Sequence, residues 1–264
     1  MNNKIVLLLA DGMRPDFVLG CGSPFADEFL KMSRYSLKAR TVMPSITLPC
    51  HMSLFHSVPP ERHGILSNTW APQVRPVNGL CEVLTAAGKR TAFVYDWPQL
   101  RDLTRPGNLG LGYFFSGGAA DYYQSAAKIA EGAVNFLRRE SFDFMFIYIG
   151  LPDEIGHKFG FAGTEYREAV NIVWGYIKTI YENLPEHASM IVTADHGGHG
   201  RGHGTDIPED MTIPVIFYGD AFQPSEGTSP ADLPCDINII DLAPTIVAAL
   251  GVSPDPDWEG RRLI

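Results

Sequence analysis

Apolar residues gather in five short blocks along the chain, at 4–10, 91–95, 143–150, 189–194 and 212–218. They are rich in Val, Ile, Phe and Tyr and lack strict alternation with polar residues. A strand covered on both faces reads this way, whereas a strand with one wet face alternates with period two. Between the blocks lie stretches of helical periodicity: short ones at 24–37 and 78–88, long amphipathic ones at 120–140 and 164–184, and a last at 238–250. In the last, Asp241 stands near the start and Gly251 follows the end as a C-cap. Strands alternating with helices predict an α/β fold: a doubly wound, mainly parallel central sheet with helices on both faces. The stretch 97–119, which carries Tyr113, Phe114 and Phe115, reads as a long loop, and 220–236 as a second. Neither is large enough for a separate unit, so 1–264 is expected to form one domain without a large cap.

Composition narrows the function. At 264 residues and 45% hydrophobic, the chain has enough apolar material for a sizeable core. A net charge of −9 with no lysine- or arginine-rich run argues against binding a nucleic-acid polymer or an anionic membrane. The four cysteines (Cys21, Cys50, Cys81 and Cys235) are scattered without CxxC spacing, so a reduced, cytoplasmic chain is the expectation. The first apolar run is short and leads into Asp11-Gly12 instead of a small-residue cleavage site, which favours a buried strand over a signal peptide. No stretch approaches the roughly 20 apolar residues of a membrane span.

Three acidic residues follow apolar blocks: Asp11, Asp153 and Asp195. Ligands of open parallel sheets bind beyond the carboxyl ends of the strands, so these three are expected at one edge. Taken singly, each would be read as a turn or cap residue. Histidines accompany two of them. Asp153-Glu-Ile-Gly-His157 has the i, i+4 spacing that puts carboxylate and imidazole on one side of a helical turn. Asp195-His196-Gly-Gly-His199-Gly-Arg-Gly-His203 is denser still, and its glycines let the backbone bend so that the donors converge. Carboxylate and imidazole are ligands that a borderline divalent metal accepts. Upstream, Thr47-Leu-Pro49 precedes the apolar pattern Met52, Leu54, Phe55 and suits a helix start, with Thr47 at or near the N-cap.

Asp11-Gly-Met-Arg-Pro-Asp16, Thr47-Leu-Pro-Cys-His51, Asp153-Glu-Ile-Gly-His157 and Asp195-His196-Gly with His203-Gly resemble the motifs of the alkaline phosphatase superfamily. The nearest branch is type I phosphodiesterase/nucleotide pyrophosphatase. Glu61-Arg-His63-Gly-Ile65-Leu-Ser-Asn68 resembles the segment that supplies a phosphate-binding asparagine there, and Asp241-Leu-Ala-Pro-Thr245 through Trp258-Glu-Gly-Arg261 resembles the C-terminal segment. The resemblance implies an alkaline phosphatase-like catalytic domain and two divalent ions, zinc foremost and manganese as a substitute. One ion would be held by Asp11, Thr47, Asp195 and His196, the other by Asp153, His157 and His203. It implies hydrolysis of a small phosphodiester or nucleotide pyrophosphate in two steps, through a phosphothreonine on Thr47. Asn68 and the Thr47 N–H would hold a non-bridging oxygen. Phosphomonoester or phosphonate hydrolysis stands as the alternative within this chemistry, and a metal-binding protein without turnover as the alternative outside it.

Three departures qualify the match. Cys50 stands where the branch usually has asparagine and reads as a packing residue. The Cys/Ser-x-Pro-x-Arg element of sulfatases is not met, because Thr47-Leu-Pro-Cys-His lacks the arginine. The chain is also short for the branch. His51, His63 and His199 are expected to support the site or the substrate side instead of ligating, Arg14 to support Asp11, meet substrate or form a surface ion pair, and Trp70, Trp97 or Tyr113 to stack on a base or sugar or to cover the sheet edge.

Overall fold

The computed structural model describes residues 3–105, 107–139, 141–223, 233–234 and 236–264. Cys235 and most of the expected loop 220–236 lie outside the described residues. Seven strands form one sheet: β1 (Lys4–Ala10), β2 (Arg34–Arg40), β3 (Thr91–Tyr95), β4 (Leu111–Phe114), β5 (Phe144–Ile149), β6 (Ala188–Thr193) and β7 (Thr212–Tyr218). Their spatial order is β2-β7-β6-β1-β5-β3-β4. The five strands from β6 to β4 run parallel, while β7 and β2 are antiparallel to their neighbours. The sheet is therefore mixed and mainly parallel, as the apolar blocks imply.

The helices are α1 (Pro15–Gly20), α2 (Pro24–Lys31), α3 (Thr47–His56), α4 (Pro60–His63), α5 (Leu80–Ala86), α6 (Tyr122–Arg139), α7 (Leu151–Phe159), α8 (Thr164–Tyr181), α9 (Pro208–Met211) and α10 (Leu242–Ala249). They cover both faces. On one, α8 packs against α1, α2, α6 and α7; on the other, α3 packs against α4, α5 and α10. Ile5 to Ala10 of β1 are wholly buried, with aromatic clusters above and below. Phe25 and Phe29 of α2 meet Trp174 of α8 on one side. Phe55 of α3 meets Phe93 and Phe146 of β3 and β5 on the other. Among the described residues, no helix is long and apolar enough to cross a membrane.

Two expectations are corrected. The stretch 24–37 is not one helix: α2 ends at Lys31, and Arg34 to Arg40 form the edge strand β2. The Phe25, Phe29 spacing of α2 is extended by chance to Leu37, and the charges Arg34, Lys38 and Arg40 disguise a strand. Such charges blunt an open edge. The loop 97–119 likewise contains a 3-10 turn at Pro98–Leu103 and the opposite edge strand β4, whose Gly112 weakens its strand signature. The last helix is preceded by a 3-10 turn at Ile239–Asp241, and Gly251, at φ +70°, closes it as expected.

Phe161, wholly buried, lies between the loops at the carboxyl ends of the strands. A Cβ on Gly156 would approach its ring to 2.5 Å, and one on Gly198 to 2.6 Å. Helix propensity alone would make Gly156→Ala stabilising by about 1 kcal/mol. Overpacking a filled core costs about 1–3 kcal/mol, so the clash wins. Gly156→Ala should lower the urea midpoint, and the same change in a Phe161→Leu background should lower it much less. Equal losses in both backgrounds would refute the packing account.

Candidate metal and catalytic site

The carboxyl ends of β1, β5 and β6 are neighbours in the sheet, with Ala10 level with Ile149 and Leu9 level with Thr193. Asp11 leaves β1 directly, Asp195 follows β6, and Asp153 lies in the first turn of α7, which begins where β5 stops. The three acids the sequence singles out therefore meet at one edge, and their histidines come with them. His196 Nε2 lies 3.3 Å from Asp11 Oδ1, 3.4 Å from Asp195 Oδ2 and 3.3 Å from Thr47 Oγ1. His157 Nε2 lies 3.3 Å from Asp153 Oδ2 and 3.2 Å from His203 Nε2, which is 3.6 Å from Asp153 Oδ1. Ligand atoms of Asp11, Asp195 and His196 all fall within 4.8 Å of one another, and so do those of Asp153, His196 and His203. His196 thus sits between the two groups, its ring stacked on His203 at 3.7 Å.

The three imidazoles are aimed by the same device. Each Nδ1 faces a backbone carbonyl: His196 that of Gly197 at 2.8 Å, His203 that of Ser45 at 2.8 Å, and His157 that of Arg201 at 3.0 Å. A carbonyl can only accept, so Nδ1 carries the proton and the Nε2 lone pair is left facing the site. That is how ligating imidazoles are oriented.

Electrostatics decide what belongs between these groups. Asp11, Asp153 and Asp195 are buried, and each keeps one oxygen (Oδ1, Oδ1 and Oδ2) without a hydrogen-bond partner. Burial and the neighbouring Asp195 and Asp153 hold the Asp11 carboxyl well above the usual carboxylate range. Burial, with Asp153 adding to it, raises Asp195 to about 7. Asp153 resists the same burial because His157 bonds it and His196 and His203 lie near, and it falls below the ordinary value. Buried carboxylates this close repel unless positive charge lies among them. Orphaned oxygens beside aimed imidazole lone pairs fit divalent cations in donor type and in charge.

Thr47 opens α3 as its first helical residue, one position inside the N-cap, Ile46. Its hydroxyl is buried and lies within hydrogen-bonding distance of His196 Nε2. Asn68 accepts a hydrogen bond from the Leu48 N–H at 2.9 Å and stands at the mouth. A cleft of about 150 Å³ runs from Asp11 and Thr47 past Asn68, Trp97, Tyr122, Tyr148 and Glu154 to His157 and His203. The supporting residues behave as expected. Cys50 is buried, and burial pushes its thiol up. His51 bonds the Thr47 carbonyl at 2.8 Å, and burial lowers it to about 3; His63 pairs with Ser53. Arg14 pairs with Asp16 and also donates to the Gly198 carbonyl. Of the three aromatic candidates only Trp97 lines the cleft: Trp70 lies at a separate pocket, and Tyr113 packs on Phe136.

Three groups beside the cleft escape a reading based on spacing. Tyr148, in β5, donates to Asp11 Oδ2 and is hidden inside an apolar run. Asp96 closes β3 as Asp11 closes β1, and the same carboxyl-end rule would have found it. It accepts the Gly150 N–H at 3.1 Å and the Ser125 hydroxyl at 2.9 Å, and burial raises it to about 7. Glu154 directly follows Asp153 and flanks Tyr122, whose ionisation burial and this carboxylate push up. Only the fold shows that it faces the cleft.

These shifts set a pH dependence. Asp11 and Asp195 keep their protons above the unfolded value of about 3.9, Asp195 up to about 7. Their stabilisation is present at low pH and is lost as pH rises through the folded values. His157, raised to about 9 chiefly by its bond to Asp153, contributes with the same sign. Histidines lowered by burial, such as His51 and His203, act oppositely, but only below the unfolded value of about 6.5. Metal-free protein should therefore lose thermal stability between about pH 6.5 and 9, and saturating Zn²⁺ should flatten or reverse that slope as it displaces the protons. A metal-free melting temperature that climbs across this window would contradict the assignment.

The family "Type I phosphodiesterase / nucleotide pyrophosphatase" matches residues 5–87, and "Metalloenzyme superfamily" matches residues 117–254. Catalytic subunit GPI ethanolamine phosphate transferase 2 of Homo sapiens is 25% identical over 99% of this chain and 28% of its own length. Ectonucleotide pyrophosphatase/phosphodiesterase family member 7 of Homo sapiens is 28% identical over 74% of this chain and 48% of its own length. The chain thus spans less than half of either relative. The structure of murine ectonucleotide pyrophosphatase/phosphodiesterase 5, an inactive form with AMP, superposes with a TM-score of 0.76 at 16% identity, covering 96% of both chains. The family match over more than half of the chain and the shared fold agree: the chain belongs to the metalloenzyme superfamily and has an alkaline phosphatase-like fold, and its residues 5–87 are similar to type I phosphodiesterases/nucleotide pyrophosphatases.

Proposed function

We propose that residues 1–264 act as one catalytic domain that hydrolyses a small phosphodiester or nucleotide pyrophosphate through a phosphothreonine on Thr47. One observation carries the reading: a buried threonine hydroxyl, at the start of a helix, lies 3.3 Å from the His196 imidazole and lines a cleft together with Asp11, Asp153, His157 and His203, with Asp195 and His196 buried beside it. Asp11, Thr47, Asp195 and His196 would hold one divalent ion, and Asp153, His157 and His203 the other, zinc suiting the imidazoles and manganese being able to replace it. Ions bound there would supply Lewis-acid charge to an in-line displacement at phosphorus.

The chain's own groups do the rest. The amino end of α3 favours negative charge on Thr47 Oγ, because the first amides of a helix have no partners within it. Oγ attacks phosphorus, the ester P–O bond breaks, and the leaving alcohol departs. Water then attacks the phosphothreonine, restoring Thr47 and releasing the monoester. Asn68, held on Leu48, and the Thr47 N–H grip a non-bridging oxygen as its charge grows. Trp97 and Tyr122 flank the place of the organic group. No lysine or arginine lines this cleft among the described residues, which suits the single charge of a diester better than the double charge of a monoester. The relatives named as pyrophosphatase/phosphodiesterase point the same way.

Zinc-reconstituted protein should hydrolyse bis-p-nitrophenyl phosphate faster than p-nitrophenyl phosphate. A preference for the monoester would instead support the phosphomonoesterase alternative. Thr47→Ala should lower kcat about a thousandfold or more while metal is still bound. Undiminished turnover by metal-loaded Thr47→Ala would sink the mechanism, and wild-type protein that binds metal without hydrolysing either ester would sink the enzyme reading.

A further inference from the structure

The loop that carries His196 and His203 is tied down at one residue that the mechanism does not use. Asp210, at the end of α9, is wholly buried. Its side chain takes three hydrogen bonds. Oδ1 faces His199 Nδ1 at 2.8 Å, and Oδ2 accepts the Thr205 N–H at 2.9 Å and the Thr205 hydroxyl at 2.8 Å. His199 and Thr205 bracket His203 in the chain, so the two halves of one carboxylate grip the loop on either side of a proposed ligand. The connection continues. Ser45, itself buried, donates its hydroxyl to the Thr205 carbonyl at 2.8 Å, and its own carbonyl faces His203 Nδ1 at 2.8 Å. Ser45 stands two residues before Thr47. The backbone of Asp210 serves the other half of the site: its carbonyl accepts the Gly197 N–H at 2.8 Å, next to His196.

We propose that Asp210 is a positioning residue whose carboxylate aims His203 and, through Thr205 and Ser45, ties the His203 loop to the segment that enters Thr47. The proposal rests on the two-metal reading above. Its division of labour is specific: the side chain of Asp210 supports the Asp153–His157–His203 group, whereas its backbone supports His196. Asp210→Asn keeps the backbone bond. It also replaces one accepting oxygen by an amide N–H, so that either Thr205 loses its acceptor or His199 has to switch to the tautomer whose Nδ1 accepts.

Equilibrium dialysis against buffered free Zn²⁺ tests this without reference to turnover. Wild-type protein should take up two ions. In Asp210→Asn the affinity for one of them should fall about 10- to 100-fold, the usual effect of removing a group that orients a ligand, while the other changes far less. His203→Ala should weaken the same ion, and adding Asp210→Asn to it should weaken the remaining ion no further. Two ions bound by Asp210→Asn with wild-type affinities, or both weakened alike, would overturn the proposal. If circular dichroism shows that Asp210→Asn does not fold, Thr205→Val removes a single donor to the carboxylate. It should show the same selectivity at smaller size, and equal loss of both ions there would overturn the proposal too. Wild-type protein that takes up fewer than two ions would refute the two-metal reading itself, which is a separate result.

Discussion

Three carboxylates buried within reach of one another are the constraint around which this protein is built. Asp11, Asp153 and Asp195 each keep an oxygen without a partner, and burial together with mutual repulsion lifts two of them far from their ordinary ionisation. In water such a cluster would separate. Here it cannot, because each acid is anchored at the end of a strand or in the helical turn that follows one, and those strands are hydrogen-bonded side by side. The rigidity of the sheet holds the charges together, and the charges in turn specify a cationic occupant.

The rest of the site follows from that arrangement. A parallel sheet places the exits of β1, β5 and β6 on one edge, and α3, packed across the face that carries Phe146 and Tyr148, brings Thr47 to it. Backbone carbonyls fix the imidazoles so that Nε2 faces inward. Phe161 then packs where the loops meet, touching the rings of His157 and His203, and it leaves no room for side chains at Gly156 and Gly198. Cations, aimed donors and close-packed loops are thus three levels of one solution: strong electrostatic groups can be buried only if nothing around them is free to move.

Much of this was legible in the chain. The blocks at 4–10 and 189–194 are too uniformly apolar for half-exposed strands, and they are the central strands β1 and β6. Asp11 and Asp195 could be placed because an acid after such a block has to leave the sheet at its carboxyl end. The edges were harder. In β2 the burial pattern is broken by an irregularity between Ser36 and Ala39 and three of its seven residues carry charge, so the pattern resembles the tail of α2; β4 is four residues long and holds a glycine. Edge strands are specified mainly by the neighbour they pair with, and one-dimensional periodicity does not contain that neighbour.

Sequence alone determined which chemical groups are present and at which ends of which elements they stand, because burial pattern and residue type are local properties. It singled out Asp11, Thr47, Asn68, Asp153, His157, Asp195, His196 and His203; the structure lines one cleft with six of them and buries Asp195 and His196 beside Asp11 and Thr47. Only the tertiary structure decided that His196 lies between the two ligand groups and that His199 turns away to Asp210. It alone shows that Tyr148 reaches Asp11 and that Trp97, not Trp70 or Tyr113, lines the cleft. These are contacts between residues far apart in the chain or aimed in different directions from one loop. Spacing along a backbone cannot encode them; the packing of helices on both faces of the sheet does.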